Sequence, residues 1–264
     1  MTGRLQGKVA IVTGAGSIGP GLGNGKATAL IFAREGACVA LVDLNAEAAE
    51  ATRAQIDEQG GKCFALRADV SRSDDCRRVV SDCIERYGRL DILHNNVGIE
   101  IAGGLEETTE EVWAKTLAVN LTSMFLMCKH SIAHMRRQRA GSIINISSIN
   151  ATRTVPAISL PYSASKAGVL ALTREIAVEY AREGIRANAI LPGMMNTPFV
   201  TKYLTDAYGG DIEAMMRKRD SYCPAGRQGT AWDVANLALF LASDEAAYIS
   251  GASLVVDGAQ SCKI

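Results

Sequence analysis

Short apolar runs alternate with longer amphipathic stretches along almost the whole chain. The runs consist mainly of valine, isoleucine, leucine and alanine, and several end at glycine, proline or a polar residue. Such runs are typical of strands that are buried on both faces of a parallel sheet. The predicted strands are Lys8–Thr13, Cys38–Asp43, Cys63–Ala68, Asp91–Asn95, Ser142–Ser147, Ile185–Leu191 and Ser253–Val256.

The amphipathic stretches predict helices, because crossover helices connect the strands of a parallel sheet. Ser73 and Thr109 stand where helix N-caps are expected, and Gly88 and Gly184 stand where helices end. Met194–Gly229 is less periodic and mixes helical with loop features. The predicted helices are Lys26–Glu35, Ala46–Gln59, Ser73–Tyr87, Thr109–Arg137, Ser159–Glu183 and Trp232–Ala242.

Seven strands alternating with helices predict an α/β fold. Right-handed crossovers then give a doubly wound, Rossmann-type parallel sheet with helices on both faces. No linker, repeat or low-complexity tract interrupts the pattern, so we predict a single domain over residues 1–264. Ligands of such sheets bind beyond the carboxyl ends of the strands, and the chemically suggestive residues are found there.

The composition of the chain argues against several classes of function. The 28 basic and 28 acidic residues give a formal net charge of zero, which does not favour a nucleic-acid partner. No apolar run approaches the roughly 18 residues of a membrane span, and the first residues do not resemble a signal peptide. Seven scattered cysteines without a C-x-x-C pair predict thiols rather than a zinc site. We therefore expect a cytoplasmic protein with no metal.

A glycine-rich turn, residues 13–25, connects the first strand to the first helix. Glycines in this context let the backbone approach a pyrophosphate, and the helix N-terminus supplies free N–H groups. Asp43 ends the second strand, where a carboxylate accepts hydrogen bonds from ribose hydroxyls and repels a 2′-phosphate. Leu44 follows it, and the turn contains no arginine. This combination favours NAD over NADP.

Tyr162 and Lys166 stand four residues apart on a predicted helix, so both side chains lie on one face. A free phenol has a pKa of about 10, and a nearby ammonium is expected to lower it. Tyr162 would then exchange a proton with an alcohol while hydride is transferred to a cofactor. Ser148 ends the preceding strand, and its hydroxyl is placed to hold the substrate oxygen.

Together these residues resemble the short-chain dehydrogenase/reductase family in its single-domain, classical form, over essentially the whole chain. The resemblance implies that Ser148, Tyr162 and Lys166 are catalytic and that Asn120 holds a water in a proton relay. It implies tetramers that form through Thr109–Arg137, Ser159–Glu183 and the last strand. The implied cofactor-binding residues are Gly14, Ser17, Gly23, Asn24, Gly25, Asp43, Asp69, Val70, Asn96, Val97, Gly98, Tyr162, Lys166, Pro192, Gly193 and Thr197.

Three departures from the family pattern bear on these assignments. The glycine turn is about five residues longer than usual. We prefer a register in which Gly23 and Gly25 are the last motif glycines and residues 18–22 are inserted, and a register on Gly19 and Gly21 is the alternative. Val97 replaces the usual alanine, which the pocket should tolerate. The spacing from Ser148 to Tyr162 is one residue longer than usual, which makes Ser147 the alternative serine.

Three functions follow as hypotheses. The first is an NAD-dependent oxidoreductase that interconverts a secondary alcohol and its ketone, with Asn150–Pro161 and Met194–Cys223 as the walls and lid of the substrate pocket. The second is a 3-oxoacyl-thioester reductase, a role that usually requires NADPH and therefore conflicts with Asp43. The third is a non-catalytic dinucleotide sensor, which a complete Asn–Ser–Tyr–Lys set disfavours. His130 and His134 are interpreted as surface or interface residues rather than metal ligands, and His94 as a packed histidine.

Overall fold

The computed structural model describes residues 3–154, 159–205 and 209–263. Seven parallel strands form one sheet in the order β3-β2-β1-β4-β5-β6-β7. The order reverses direction at β1, which is the topological switch point where ligands of doubly wound sheets bind. The strands are β1 Val9–Thr13, β2 Cys38–Asp43, β3 Lys62–Arg67, β4 Ile92–Asn95, β5 Gly141–Ile146, β6 Ile185–Pro192 and β7 Ser253–Val256.

Helices cover both faces of this sheet. Among the described residues they are α1 Asn24–Arg34, α2 Ala46–Glu58, α3 Ser73–Tyr87, α4 Glu110–Leu117, α5 Ser123–Gln138, α6 Leu160–Tyr180, α7 Pro198–Leu204, α8 Ile212–Tyr222 and α9 Ala231–Ala242. The prediction of a doubly wound, seven-stranded α/β sheet is therefore confirmed. The irregular segment after β6 contains α7 and α8, which the sequence pattern did not resolve.

Two apolar cores explain why the strands appear as continuous apolar runs. In β1, Ala10 and Val12 pack into the core under α1, α2 and α9. Val9 and Ile11 alternate with them and pack into the core under α3, α5 and α6. Because side chains of a strand point alternately to opposite faces, a strand buried on both faces must be apolar at every position.

The predicted helix Thr109–Arg137 is helical along its length but changes its hydrogen-bonding pattern in the middle. Thr109 does cap α4, since its side chain accepts a hydrogen bond from the Val112 amide at 3.3 Å. A π-helical segment, Ala118–Thr122, then separates α4 from α5. Asn120 lies in this widened turn and bonds to the Ile99 backbone, which lies outside the helix. Such π-bulges are frequent at functional sites.

The predicted N-cap of α3 and the predicted start of α1 are wrong. Ser73 is the first residue of α3 rather than its cap; Arg72 occupies the N-cap position, and the Ser73 hydroxyl is 3.0 Å from His130 Nε2. Helix α1 begins at Asn24, two residues before the predicted Lys26, because Asn24 and Gly25 already have helical backbone. The end of α3 is as predicted, with Gly88 in the left-handed region at φ 77°.

The histidines are placed as packing and surface residues. His94 is fully buried with its ring edge-on to Phe32, and burial lowers its pKa to about 3, so it is neutral. His134 lies 2.7 Å from Arg137 on the same helix. Within the described part of the chain, no group of three metal-ligating side chains occurs. Each of the seven cysteines is a free thiol.

Exposed apolar side chains lie on the elements that the family resemblance assigned to subunit contacts. Phe125 on α5, Val178 on α6 and Val255 on β7 are 46%, 80% and 47% exposed. The tetramer itself stays a prediction. Among the helices of the described ranges, none is long and apolar enough to cross a membrane.

Candidate active site

A cavity of about 620 Å³ opens at the carboxyl ends of the strands. It contains every predicted cofactor residue and three of the four predicted catalytic residues. The predicted residues that line it are Gly14, Ser17, Gly23, Asn24, Gly25, Asp43, Asp69, Val70, Asn96, Val97, Gly98, Ser148, Tyr162, Lys166, Pro192, Gly193 and Thr197. The fourth catalytic residue, Asn120, is fully buried behind the wall.

The glycine turn is shaped by close backbone contacts. Gly14 has φ +64°, a conformation that side chains disfavour. A Cβ on Gly25 would lie 2.0 Å from the Gly14 carbonyl oxygen, so the start of α1 approaches the end of β1 as closely as glycine allows. This contact aims the N-terminus of α1 into the cavity, where free N–H groups attract an anion.

The extended part of the turn lies against α7 instead. A Cβ added at Gly19 would lie 3.9 Å from the Pro198 side chain, and one added at Gly21 would lie 3.3 Å from it. Gly23 is the N-cap residue of α1. The backbone geometry therefore favours the register that uses Gly23 and Gly25, while the individual phosphate contacts stay a prediction.

Alanine substitutions separate these two roles of glycine. In Gly25→Ala the new methyl would clash with a backbone oxygen, so we expect a loss of roughly 3 kcal/mol of unfolding free energy. We also expect at least a tenfold weaker affinity for NADH. Gly19→Ala is the matched control, because its methyl meets only Pro198 at 3.9 Å. Denaturant unfolding and NADH fluorescence titration measure both effects; equal behaviour of the two variants would contradict this account of the turn.

Asp43 connects the end of β2 to the glycine turn. Its Oδ2 accepts a hydrogen bond from the Gly16 amide at 2.9 Å, and its Oδ1 accepts one from the Asn45 amide at 2.9 Å. A carboxylate oxygen has two lone pairs, so each oxygen can accept a further hydrogen bond from the cavity side. These two bonds hold the carboxylate at the position where ribose hydroxyls of a dinucleotide are expected.

Asn96 and Asp69 fix two neighbouring loops of the cavity. The Asn96 side chain donates to the Gly14 carbonyl at 3.2 Å, which ties the loop after β4 to the glycine turn. Asp69 Oδ1 accepts from the Ser71 amide and hydroxyl at 3.0 and 2.6 Å. Val97 packs beside Gly14, with its Cγ2 3.3 Å from where a Gly14 Cβ would lie. The valine is thus accommodated next to the glycine turn.

The loop after β6 forms the opposite end of the cavity. The Gly193 amide bonds to the Val256 carbonyl at 2.9 Å, and a Cβ at Gly193 would lie 2.5 Å from the Asp257 Cβ. Thr197 is buried at the N-cap position of α7. The loop is thereby held against the end of β7, with Pro192, Gly193 and Thr197 facing the cavity.

Ser148, Tyr162 and Lys166 line the same cavity. The Ser148 hydroxyl donates to Asn150 Oδ1 at 3.1 Å and lies near enough to the Tyr162 phenol to lower its pKa. The Ser147 hydroxyl donates instead to the Lys166 carbonyl at 2.8 Å. The Lys166 ammonium lies 5.5 Å from the centre of the Tyr162 ring and donates to the Ile146 carbonyl at 2.8 Å. The geometry therefore favours Ser148 over Ser147 as the serine next to the tyrosine.

The expected lowering of the Tyr162 pKa is not found. Burial raises the pKa of this phenol above its usual value, the negative charge of Glu100 raises it further, and the bond with Ser148 lowers it. Burial also lowers the pKa of Lys166 to about 8, against an opposing effect of Glu100. The sequence argument considered only the attraction between ammonium and phenolate and omitted the loss of water around both groups. Burial and Glu100 therefore favour the protonated phenol over the phenolate.

Asn120 acts on the backbone of the cavity wall. Its side-chain oxygen accepts from the Ile99 amide at 2.8 Å, and its NH₂ donates to the Ile99 carbonyl at 2.9 Å and the Ser165 hydroxyl at 3.1 Å. These bonds hold the loop after β4 against α6, close to Tyr162. Its predicted role in holding a water stays a prediction.

Four residues of the cavity were not singled out from the sequence, although three of them lie within the predicted lid Met194–Cys223. Glu100 and Arg219 are 7% and 5% exposed and lie in the same cavity as Tyr162. Phe199 and Tyr203 on α7 also line it, with ring centres 4.8 Å apart. Glu100 stands two residues after Gly98, a predicted cofactor residue, so its position was a usable indication. Residues 155–158 and 206–208 of the predicted walls and lid lie outside the described residues.

The donors and acceptors of the cavity fit a dinucleotide. Glycines at positions 14, 16 and 25 permit the close packing that shapes the turn, because a Cβ at any of them would lie 3.0 Å or less from a neighbouring atom of the protein. The Asn24 side-chain oxygen is buried at the start of α1 and has no partner among the described residues, so it is available as an acceptor. Asp43 supplies further acceptors at the far end. These features suit a ligand that carries phosphates in its middle and hydroxyls at its ends.

Comparison with known proteins identifies the family. The family model described as enoyl-(acyl carrier protein) reductase matches residues 21–259. A 2,5-dichloro-2,5-cyclohexadiene-1,4-diol dehydrogenase of Sphingobium indicum is 40% identical over 258 residues, which are 98% of each chain. The crystal structure of a protein from Burkholderia xenovorans, titled as a short-chain dehydrogenase/reductase, has a TM-score of 0.95 and 45% identity over 99% of both chains. This chain belongs to the short-chain dehydrogenase/reductase family.

Membership makes the protein an oxidoreductase of this family, whose dehydrogenases typically use a nicotinamide cofactor. The family also includes carrier-protein reductases at similar distance. A 3-oxoacyl-(acyl-carrier-protein) reductase of Thermotoga maritima is 37% identical over 255 residues, covering 97% of this chain and 98% of that one.

Proposed function

We propose that this protein is an NAD-dependent oxidoreductase that interconverts a secondary alcohol and its ketone. The observation that carries the proposal is the shared cavity. Ser148, Tyr162 and Lys166 meet in the same space as the glycine turn and Asp43. A group that exchanges protons thus lies at one end of a site suited to a dinucleotide.

The residues of the chain divide the work of the reaction. A nicotinamide ring bound beside Thr197 would supply the hydride acceptor or donor. Ser148 hydrogen-bonds the substrate oxygen and holds it against the Tyr162 phenol. In reduction the Tyr162 phenol donates its proton to the ketone oxygen, and in oxidation the phenolate form of Tyr162 accepts the hydroxyl proton. The raised pKa of Tyr162 favours the phenol, which is the form that donates to a ketone oxygen.

Lys166 and Asn120 support these groups. The Lys166 ammonium lies 5.5 Å from the centre of the Tyr162 ring and 3.4 Å from where a Cβ of Gly98 would be. Gly98 belongs to the wall that the nicotinamide ribose would face. It would bind that ribose and favour the phenolate when the proton leaves. Asn120 holds the Ile99 backbone and thereby the wall of the site. The helices within 194–223 would cover the substrate as a lid.

The second candidate is a 3-oxoacyl-thioester reductase. The similarity to a carrier-protein reductase of Thermotoga maritima favours it, and so does the description of the matching family model. Asp43 disfavours it, because such reductases usually take NADPH and a carboxylate at the ribose repels the 2′-phosphate. Cofactor preference therefore separates the two candidates.

An absorbance assay at 340 nm tests the proposal. Purified protein is mixed with NAD or NADP and with secondary alcohols of aliphatic, cyclic, aryl, sugar and hydroxyacyl types. We expect reduction of NAD by at least one alcohol, and oxidation of NADH by the matching ketone. A clear preference for NADP together with reduction of 3-oxoacyl thioesters would establish the second candidate instead. Tight binding of NADH without turnover in either direction would contradict both.

A further inference from the structure

Glu100 is a buried carboxyl group that the proposed reaction does not use. It is 7% exposed and lines the cavity that contains Tyr162 and Lys166. Among the residues that the structure describes, no hydrogen bond reaches its carboxyl group. A buried carboxyl group that lacks a hydrogen bond is costly, and such groups normally hydrogen-bond to something. The cavity side is where that partner can approach.

The backbone on both sides of Glu100 is held rigidly. Asn120 forms two hydrogen bonds with the Ile99 backbone, at 2.8 and 2.9 Å. The Ser159 hydroxyl donates to the Ile101 carbonyl at 2.7 Å, directly before the helix that bears Tyr162. Glu100 is therefore presented to the cavity from a fixed position, as a binding group needs to be.

The charges around Glu100 indicate which ligand group it suits. Burial raises its pKa to about 7, while the positive charges of Arg219 and Lys166 lower it. Two cations already face this carboxyl group, so a cationic ligand group would be repelled by them. An anionic group would be repelled by Glu100 itself. A neutral hydroxyl suits it best, because a hydroxyl both donates and accepts and so bonds to either form of the carboxyl.

We propose that Glu100 recognises a second hydroxyl group on the substrate, and that the substrate is therefore a diol or the corresponding hydroxyketone. This inference rests on the proposed function, because it presupposes that the first hydroxyl is the one held by Ser148 and Tyr162. Glu100 lines the same cavity as Tyr162, and its negative charge raises the pKa of that phenol. The second hydroxyl thus lies in the same cavity as the carbon that is oxidised.

Matched alcohols test this proposal. The probes are cyclohexanol, cyclohexane-1,2-diol and cyclohexane-1,4-diol, each assayed with NAD. A site built to bind a hydroxyl rejects an analogue that lacks it, by roughly 10⁴-fold in favourable cases. We expect the wild-type protein to prefer the better diol over cyclohexanol by at least about 100-fold in kcat/KM. In Glu100→Leu the ratio should fall to within about threefold, because no acceptor remains for the second hydroxyl.

Two further variants distinguish recognition from other roles. Glu100→Gln keeps an acceptor oxygen, so it should retain an intermediate preference. Glu106→Gln removes an exposed carboxylate of the same loop and should behave like the wild type. A wild-type ratio near one, or a ratio that survives in Glu100→Leu, would overturn the proposal. An equal loss of kcat for cyclohexanol and diol in Glu100→Gln would also overturn it, because Glu100 would then act in proton transfer.

Calorimetry separates failure of this inference from failure of the proposed function. The same three alcohols are titrated into the NADH complex, which does not require turnover. Diol binding at least tenfold tighter than cyclohexanol in the wild type, and equal binding in Glu100→Leu, would support recognition even if no alcohol is oxidised. Equal binding of all three alcohols by the wild type would overturn it. If neither the wild type nor any variant oxidises an alcohol, that result would count against the proposed function alone.

Discussion

Tyr162→Phe is expected to lose roughly 10³-fold in kcat, which lies within the range for removal of a general acid or base. The substitution removes only the phenol oxygen. The ring, and with it the contact to the Lys166 ammonium at 5.5 Å, remains. Binding of NADH should therefore change by less than about threefold. Steady-state kinetics and NADH fluorescence titration measure the two quantities on the same preparation.

Tyr203→Phe is the matched control for this variant. Tyr203 lines the same cavity from α7, and its phenol is also partly buried. Loss of that oxygen should leave kcat within a few-fold of the wild type, because Ser148 and Lys166 lie beside Tyr162 instead. If Tyr162→Phe retains wild-type turnover, or if Tyr203→Phe loses as much, the assignment of the proton-transfer residue is wrong.

Asp43→Asn is expected to change the choice of cofactor. Placing a 2′-phosphate beside a carboxylate costs several kcal/mol, so the wild type should prefer NAD over NADP by at least about 100-fold in kcat/KM. The amide removes this repulsion, and the ratio should fall to about tenfold or less. The variant also loses one of the two backbone bonds to Gly16 and Asn45, so activity with NAD should decrease modestly.

Asp69→Asn controls for the general loss of a charge in the cavity. Asp69 lines the cavity after β3, and its Oδ1 is bonded to Ser71 rather than to the glycine turn. Its substitution should change kcat/KM for NAD and NADP by the same factor. A wild-type protein that favours NADP, or an unchanged ratio in Asp43→Asn, would show that Asp43 does not select the cofactor.

The strands were predictable because burial on both faces leaves little choice of residue. Each predicted strand overlaps the observed one and differs by at most one residue at either end, as for Ile185–Leu191 against Ile185–Pro192. Helix interiors were predictable for a similar reason. The N-cap of α3 was not, since a serine serves equally well as a cap or as the first helical residue, and only the partner of its hydroxyl distinguishes the two.

The location of the site followed from topology, but its electrostatics did not. Strand ends converge at one edge, so Asp43, Ser148 and Tyr162 could be placed in one cavity from their sequence positions. The partnership of Glu100 with Arg219 could not be placed in this way, because α8 lies in a segment without clear periodicity. The raised pKa of Tyr162 depends on how much water the folded chain excludes, which no spacing of residues reports.

Transfer of deuterium tests the central claim most directly. The best secondary alcohol of the panel is labelled with deuterium at the carbinol carbon and oxidised with NAD by the wild-type protein. The account predicts that each ketone formed is matched by one deuterium on the nicotinamide ring, as mass spectrometry of the recovered cofactor would show. Ketone formed without label in the cofactor, or reduced cofactor labelled from solvent, would contradict hydride transfer from the alcohol at this site.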